Sequence, residues 1–357
     1  MKDIRDYSLL AHNTFGIDAK CKRFLEYSSV EEARQLVASL TDADKPLLIL
    51  GGGSNLLLTG DYEGTVVHSA IKGIDVLANE DVLANETLAV AAKDDALHNS
   101  EFVFLRCGSG EVFDDVVAYA VEHGFHGAEN LSIIPGEVGA SAVQNIGAYG
   151  VEAKDIIYKV ETVEIATGRV VVFDNQDCHY SYRQSRFKHE WKDKYLVTHV
   201  VYRLSRSFVP DLDYGNIRAS LAAKHIENPT AQQLRDVIIE IRNAKLPDPK
   251  VQGNAGSFFM NPIVEKAKFE ELAAQYPGMP HYTIDEEHEK VPAGWMIDQC
   301  GWKGKSLGRA GVHDKQALVL VNRGGATGGE IVNLCETIRK DVKQKFGIDI
   351  HPEVNVK

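Results

Sequence analysis

No stretch of this 357-residue chain is long and apolar enough to cross a bilayer as a helix. The opening residues, MKDIRDYSLLAHNTFG, also lack the unbroken apolar segment of a secretory signal. Cysteine is sparse. Cys21, Cys107, Cys178, Cys300 and Cys335 are scattered, odd in number and form no CxxC pair. That argues against a zinc site or a disulfide framework and for free thiols in a cytoplasmic protein, and no metal is expected. Positive charge is in deficit: 51 acidic residues face 39 basic ones, for a net charge of −12. Such a chain has no electrostatic reason to bind nucleic acid broadly. Two common nucleotide loops are missing as well. Gly51-Gly52-Gly53-Ser54-Asn55 follows an apolar run, but Leu56 stands where a Rossmann fingerprint needs its third glycine. Gly301-Trp-Lys-Gly-Lys-Ser306 resembles a Walker A loop until Gln299, where the first glycine is required.

What is present reads as an ordinary globular protein, 44% hydrophobic and 25% charged, long enough for two or three domains. Ser29-Val-Glu-Glu32 is a capping box and predicts a helix carrying Ala33, Leu36, Val37 and Leu40 on one face. Buried strands are expected at Leu47–Leu50 and at 64–69, and a helix from about Glu111 to Gly124. From Ile156 the pattern turns to strands, IIYKVETVEIA, RVVVF and YLVTHVVYRL, with a Thr167-Gly168 turn. The second half carries capping boxes at Thr230–Gln233 and Thr327–Glu330, a helix near 263–275 and a strand in ALVLVN. Proline and polar residues in SRSFVPDLD place the main boundary near 205–213. Residues 75–86 read DVLANEDVLANE, a local duplication in a hairpin or surface loop and too short a period for a solenoid.

Three glycine-bearing segments draw chemical interest. Successive N–H groups of Gly51 to Asn55 suit an anion-binding nest, although a tight turn fits equally well. Ile134 to Glu152, IPGEVGASAVQNIGAYGVE, is dense in small residues that let backbone lie against a planar ligand. Val251 to Pro262, VQGNAGSFFMNP, sets Ser257 between flexible glycines and two aromatics. Gly253 and Gly256 let the backbone turn sharply or approach a ligand closely.

LLILGGGSN, IPGEVGASAVQNIGAYG, SYRQSRFK, NAKLPDPK, GNAGSFFMNP and HPEVN occur in that order. In this the chain resembles the UDP-N-acetylenolpyruvoylglucosamine reductases, from about Asn13 onward. Asp213-Tyr214-Gly215 matches the longer form of the family, which bears a tyrosine on a substrate loop. The resemblance implies an α+β architecture. A two-subdomain FAD-binding fold of the vanillyl-alcohol-oxidase/PCMH type would cover 14–207, split at about residue 70. A C-terminal α+β substrate domain would cover 208–357, its tail at 349–357 returning to the active site and tied down by a strand near 349–354.

The same resemblance implies noncovalent FAD, NADPH as co-substrate and a monomer free of nucleic acid and membrane. FAD would be contacted by Gly51, Gly52, Gly53, Ser54 and Asn55, and by Pro135, Gly136, Gly139, Ser141, Gln144, Asn145, Gly147, Ala148 and Tyr149. Hydride would pass from NADPH to flavin and from flavin N5 to C3 of the enolpyruvyl group, with Ser257 protonating C2. Arg183 would bind the substrate carboxylate, and Glu353 is the third catalytic match. Tyr214, Lys245, Asn261 and Gln316 would hold the UDP-sugar. Two other readings share the scaffold: an FAD-dependent sugar oxidase, and a non-catalytic nucleotide-sugar binding protein.

Overall fold

The computed structural model describes residues 1–77 and 101–357, so the duplicated hexamer lies outside the described residues from 78 onward. The chain forms two compact units. The first comprises Met1–Tyr7, Cys21–Gly52 and Glu63–Ala244; the second comprises Ser8–Lys20, Gly53–Tyr62 and Lys245–Lys357.

The first unit contains a five-stranded antiparallel sheet in the order Val170–Asp174, Ile157–Glu164, Tyr195–Ser205, Phe102–Gly108, Ile74–Leu77. The first three are the β-branched runs expected from the sequence, turned at Gly168, whose N–H donates to Glu164 O at 2.8 Å, whereas Phe102–Gly108 and Ile74–Leu77 were not anticipated. The face holding Val160, Val200 and Cys107 packs with Phe113, Val117 and Ala142 from the helices Phe113–Glu122 and Val138–Gln144. A four-stranded sheet has the order Lys2–Ser8, Lys20–Tyr27, Tyr62–Ser69, Leu47–Leu50. Its last two strands run parallel, pairing Leu47 with Thr65 through Leu50 with His68. The helix Val30–Ser39 starts where Ser29 Oγ accepts Glu32 N at 3.1 Å. The reciprocal half of the box shifts by one residue, because Glu32 accepts from Ser28 N at 2.8 Å.

Residues 208–244 belong to the first compact unit, whereas the composition break places the boundary at 205–213. The cause is packing that local composition does not express. Helices Ile217–Ala223 and Ala231–Lys245 share a cluster of Ile217, Leu221, Leu234, Val237 and Ile238, against which Phe208, Leu212 and Tyr149 pack. Arg235 then grips both oxygens of Asp114, at 2.7 and 3.0 Å.

The second unit holds an antiparallel sheet in the order Asn254–Ser257, Val319–Asn322, Ala310–Val312, Ser306–Leu307. The helix Gly328–Phe346 begins at a complete Thr327–Glu330 capping box. Its buried stripe is Ile331, Leu334, Ile338 and Val342, the spacing of one helical face. The helix near 263–275 starts at Lys266, because Ile263–Glu265 extends and pairs with His288–Lys290. All five cysteines are free thiols. No helix among the described residues is long and apolar enough to cross a membrane.

Candidate active site

In the first unit, the strand Leu47–Leu50 delivers Gly51 and Gly52 against the second glycine-rich segment. A Cβ on Gly52 would lie 3.3 Å from Gly136 Cα, and one on Gly51 would lie 3.2 Å from Ala140 Cβ. The two loops therefore meet closely, with the Glu137 side chain beside both glycines, its Cγ 3.7 Å from a Cβ on Gly52, and glycine backbone N–H groups make up the rest of the surface. That surface suits the phosphates of a dinucleotide. Pro135 and Gly136 lead into the short helix Val138–Gln144, and Phe113 N donates to Gly136 O at 3.0 Å. Gly139 backs onto Ser109, whose Cβ would be 2.9 Å from an added methyl. The Ser141 side chain turns inward. Its hydroxyl donates to Val138 O at 2.7 Å and meets Tyr202 OH at 2.7 Å, and its N–H donates to Glu137 O at 3.1 Å, so the residue expected to contact FAD supports the loop from within instead.

After Gln144 the chain reverses at Asn145, which is fully buried in the left-handed region at φ 45°. Its side chain replaces a strand ladder here. Nδ2 donates to Ser181 O at 2.8 Å and to Glu152 Oε2 at 3.2 Å, and Oδ1 accepts Lys154 N at 3.0 Å. Gly147–Ala148 then pairs with Val151–Glu152 in a tight hairpin. Arg183 closes onto it. Nη2 donates to Gly147 O at 2.5 Å, and Nη1 reaches Asn145 O at 3.3 Å and Glu152 Oε1 at 3.4 Å. Arg183 itself occupies a turn corner at φ 56°, between Ser181 and Gln184, which exchange backbone hydrogen bonds at 3.0 and 3.1 Å. Its guanidinium is thus aimed by the loop expected to line the flavin.

Tyr149 and Tyr214 meet edge to face at 6.3 Å. Asn130 Nδ2 ties their segments, donating to Tyr149 O at 2.9 Å and to Asp211 O at 3.1 Å. Sequence reasoning missed Arg242, one turn before Lys245 on the same helix. Its Nε is buried without a hydrogen-bond partner, and burial lowers its pKa against the opposing influence of Tyr149 and Asp114. A cation three residues before Lys245 is the only signal the sequence offered.

The second unit carries Ser257 and Glu353 on one hydrogen-bonded frame. Gly256 adopts φ 68°, a left-handed turn that exposes Ser257 while Phe258 and Phe259 are buried. Gly253 also serves a close approach, but to the chain's own backbone where a ligand was expected: a Cβ there would fall 2.2 Å from Phe15 O. Phe258 N donates to Leu318 O at 2.7 Å, and Phe258 O accepts Glu353 N at 2.8 Å. Met260 N donates to His351 O at 3.0 Å, and Phe259 bridges Pro352. On its other side the tail meets the residues that follow the first glycine run. Asn55 Nδ2 donates to Glu353 O at 3.4 Å, and Asn355–Val356 runs parallel to Leu56–Leu57. The tail is tied down, but the strand lies at 355–356; Ile348, Ile350 and Val354 hold the preceding stretch by burial.

Gly53–Asn55 also belong to this unit, with Thr14 N donating to Gly53 O at 3.2 Å. Asn261 Oδ1 accepts Ala293 N at 2.9 Å. Gln316 Oε1 lies 3.1 Å from where a Cβ on Gly294 would be, so both amides sit at the start of the helix Ala293–Gln299. Lys245 is exposed at the end of its helix. The structure therefore joins Ser257, Glu353 and Asn55 in one unit, and Arg183 to Asn145 and Gly147 in the other.

Residues 22–174 match the profile of the FAD binding domain family, and residues 248–357 match that of the UDP-N-acetylenolpyruvoylglucosamine reductase C-terminal domain. The chain is 56% identical to the UDP-N-acetylenolpyruvoylglucosamine reductase of Bacteroides fragilis over 349 residues, 98% of each chain. It is 43% identical to the enzyme of that name from Flavobacterium johnsoniae, again over 98% of both. Among solved structures it resembles the UDP-N-acetylenolpyruvylglucosamine reductase of Thermus caldophilus. That match has a TM-score of 0.64 at 19% identity and covers 99% of this chain and 98% of the other, a likeness of fold.

Proposed function

The chain belongs to the UDP-N-acetylenolpyruvoylglucosamine reductase family, and from that premise we propose that it reduces UDP-N-acetylglucosamine enolpyruvate to UDP-N-acetylmuramate, in the cytoplasm, with NADPH as reductant. FAD held by its binding domain would supply the hydride chemistry that links NADPH oxidation to reduction at C3 of the enolpyruvyl group. Gly51 to Asn55 would hold its phosphates through backbone N–H groups, and Pro135 to Tyr149 would line the flavin. The division of labour assigns flavin to 14–207 and the nucleotide sugar to 208–357. In the latter, Tyr214, Lys245, Asn261 and Gln316 hold the UDP-sugar.

Three side chains act on the reacting group. Arg183 binds the carboxylate and stabilises charge that develops on it after hydride arrives; its planar fork suits a carboxylate. Ser257 donates a proton to C2. An aliphatic hydroxyl is a weak acid, so it serves only a strongly basic carbanion, which confines its action to the moment after hydride transfer. Glu353 completes the set. The observation that carries this reading is the frame shared by Ser257 and Glu353. Phe258 O accepts Glu353 N at 2.8 Å, which fixes a residue near the chain's end beside an exposed serine.

Rapid-mixing of anaerobic Ser257→Ala protein tests it. NADPH should bleach the flavin at the parental rate. Reoxidation by the enolpyruvyl substrate should slow by roughly 10²-fold or more, the range expected for loss of a positioned acid. Parental reoxidation would remove Ser257 from the mechanism.

A further inference from the structure

One buried group of charges in the first unit has no part in these steps. His68, near the end of the strand Tyr62–Ser69, is 8% exposed, and each ring nitrogen faces a carboxylate. Nδ1 lies 3.0 Å from Glu26 Oε2, and Nε2 lies 3.2 Å from Glu137 Oε1. A neutral imidazole has one N–H and one lone pair, so it cannot donate to both. The arrangement is satisfied when the trio carries one proton more than two carboxylates and a neutral ring. Other groups around the ring agree with this. Lys2 Nζ meets Glu26 at 2.5 Å, and the Phe24 ring stacks on the imidazole with centroids 6.1 Å apart. Burial disfavours the imidazolium, but Glu137 and Glu26 outweigh it and raise the His68 pKa.

Glu137 immediately precedes the helix Val138–Gln144, inside the second glycine-rich segment. With Oε1 held by His68, its Oε2 is buried and without a hydrogen-bond partner. That oxygen would be 3.4 Å from a Cβ on Gly51, so it lies at the meeting of the two glycine loops. A buried carboxylate oxygen without a donor is costly, and its placement demands a donor from outside the chain. A bare carboxylate would also repel the phosphates expected there, and the imidazolium offsets that charge.

We propose that Glu137 is a flavin-binding residue: Oε2 accepts a hydrogen bond from a hydroxyl of the sugar portions of FAD, while His68 and Glu26 hold and neutralise the other oxygen. The inference rests on the reading of Gly51–Gly52 and Pro135–Tyr149 as flavin loops. It assigns to the Glu26–His68–Glu137 chain the task of presenting one acceptor in a site otherwise made of donors. Because the extra proton leaves as pH rises, FAD affinity falls on the alkaline side of the His68 titration, where the trio gains a negative charge.

The test is titration of apoprotein with FAD, read by flavin fluorescence across pH 6 to pH 10, for the parent, Glu137→Gln, Glu137→Ala, His68→Gln and Gly52→Val. Glu137→Ala should weaken binding roughly tenfold or more, the usual loss for a charge-assisted hydrogen bond. Glu137→Gln, which removes the charge and keeps the shape, and His68→Gln should both flatten the alkaline decline. FAD analogues lacking single ribityl or ribose hydroxyls separate contact from scaffolding. One analogue should bind the parent about tenfold more weakly, yet bind Glu137→Ala no more weakly than FAD does. Fully additive losses for every analogue would overturn the contact. So would parental affinity in Glu137→Ala alongside lost binding in Gly52→Val, which leaves the loop reading intact. Parental affinity in Gly52→Val would instead overturn the loop reading and this inference with it.

Discussion

Replacing Gly253 by alanine should destabilise the second unit by about 3 kcal/mol or more. The added methyl would sit 2.2 Å from Phe15 O, and 2.7 Å from Phe15 C, against backbone that has no rotamer to change. Relief requires Phe15 and the strand Asn254–Ser257 to part by about 1 Å, since ordinary contact begins near 3.2 Å. Four hydrogen bonds resist that movement. Asn254 N donates to Thr14 O at 3.0 Å, Thr14 Oγ1 to Asn254 O at 2.6 Å, Asn322 N to Gly253 O at 2.8 Å and Asn322 Nδ2 to Phe15 O at 3.0 Å. Overpacking alone costs about 1–3 kcal/mol, and loss of one or two of these bonds adds about 1 kcal/mol each. Gly60→Ala is the matched control, because nothing lies within 4 Å of its added methyl; it should change stability by less than about 0.5 kcal/mol. Urea unfolding followed through the second unit measures both. A Gly253→Ala midpoint equal to that of Gly60→Ala would refute the close-approach argument. If the variant folds, the strand ending at Ser257 is displaced, so substrate-dependent flavin reoxidation should slow more than reduction by NADPH.

Removing Asn355–Lys357 deletes the pairing with Leu56–Leu57 and leaves Glu353 held by Phe258 and Asn55. Reoxidation by substrate should drop roughly 10- to 100-fold in stopped flow, the scale set by an ångström-level misplacement, with reduction by NADPH unchanged; an equal loss in both half-reactions would contradict this. In the first unit, burial raises the Glu161 pKa, but hydrogen bonds from His199 and Arg106 and the Arg106 charge more than reverse it, to about 2 from 4.5. A depressed carboxylate pKa stabilises the fold above the unfolded value and ceases to do so as pH falls through the folded one. About 3 kcal/mol should therefore disappear between roughly pH 5 and pH 2. Glu161→Gln should flatten that acid limb in thermal unfolding, and an unaltered limb would show that other carboxylates carry it.

Local structure was legible where one short pattern decides it. Thr327 and Glu330 name a helix start by their own chemistry, and the valine-rich runs at 157–164 and 195–205 can hardly be other than buried strands. The strand Lys2–Ser8 was not legible, because six of its seven residues are exposed and no alternation marks an edge strand. Val138–Gln144 was read within an irregular glycine-rich segment, and its helix depends on tertiary contacts: Ser141 on Tyr202 and Gly139 on Ser109. The extent of the first compact unit was hidden for a related reason. Phe208 and Leu212 look like linker until Ile217 and Leu234 are beside them, and Thr14 shows its allegiance to the second unit only when Asn254 N is found donating to it.

The candidate site divides along the same line. Ser257 was legible because Gly253 and Gly256 are a backbone requirement written in composition, and the structure uses one for approach and the other for a left-handed turn. Arg183 was visible only as a charge, and a lone arginine defaults to the surface. What the sequence cannot express is direction. That comes from Asn145, whose buried amide fixes the loop that presents Asn145 O and Gly147 O to the guanidinium. An arginine held by carbonyls on a left-handed corner is oriented before any substrate arrives, so little ordering remains for the binding step. Glu137 belongs to this second class. In the string IPGEVG it is one acid among 51, and its meaning depends on His68, 69 positions earlier, holding one oxygen and leaving the other bare.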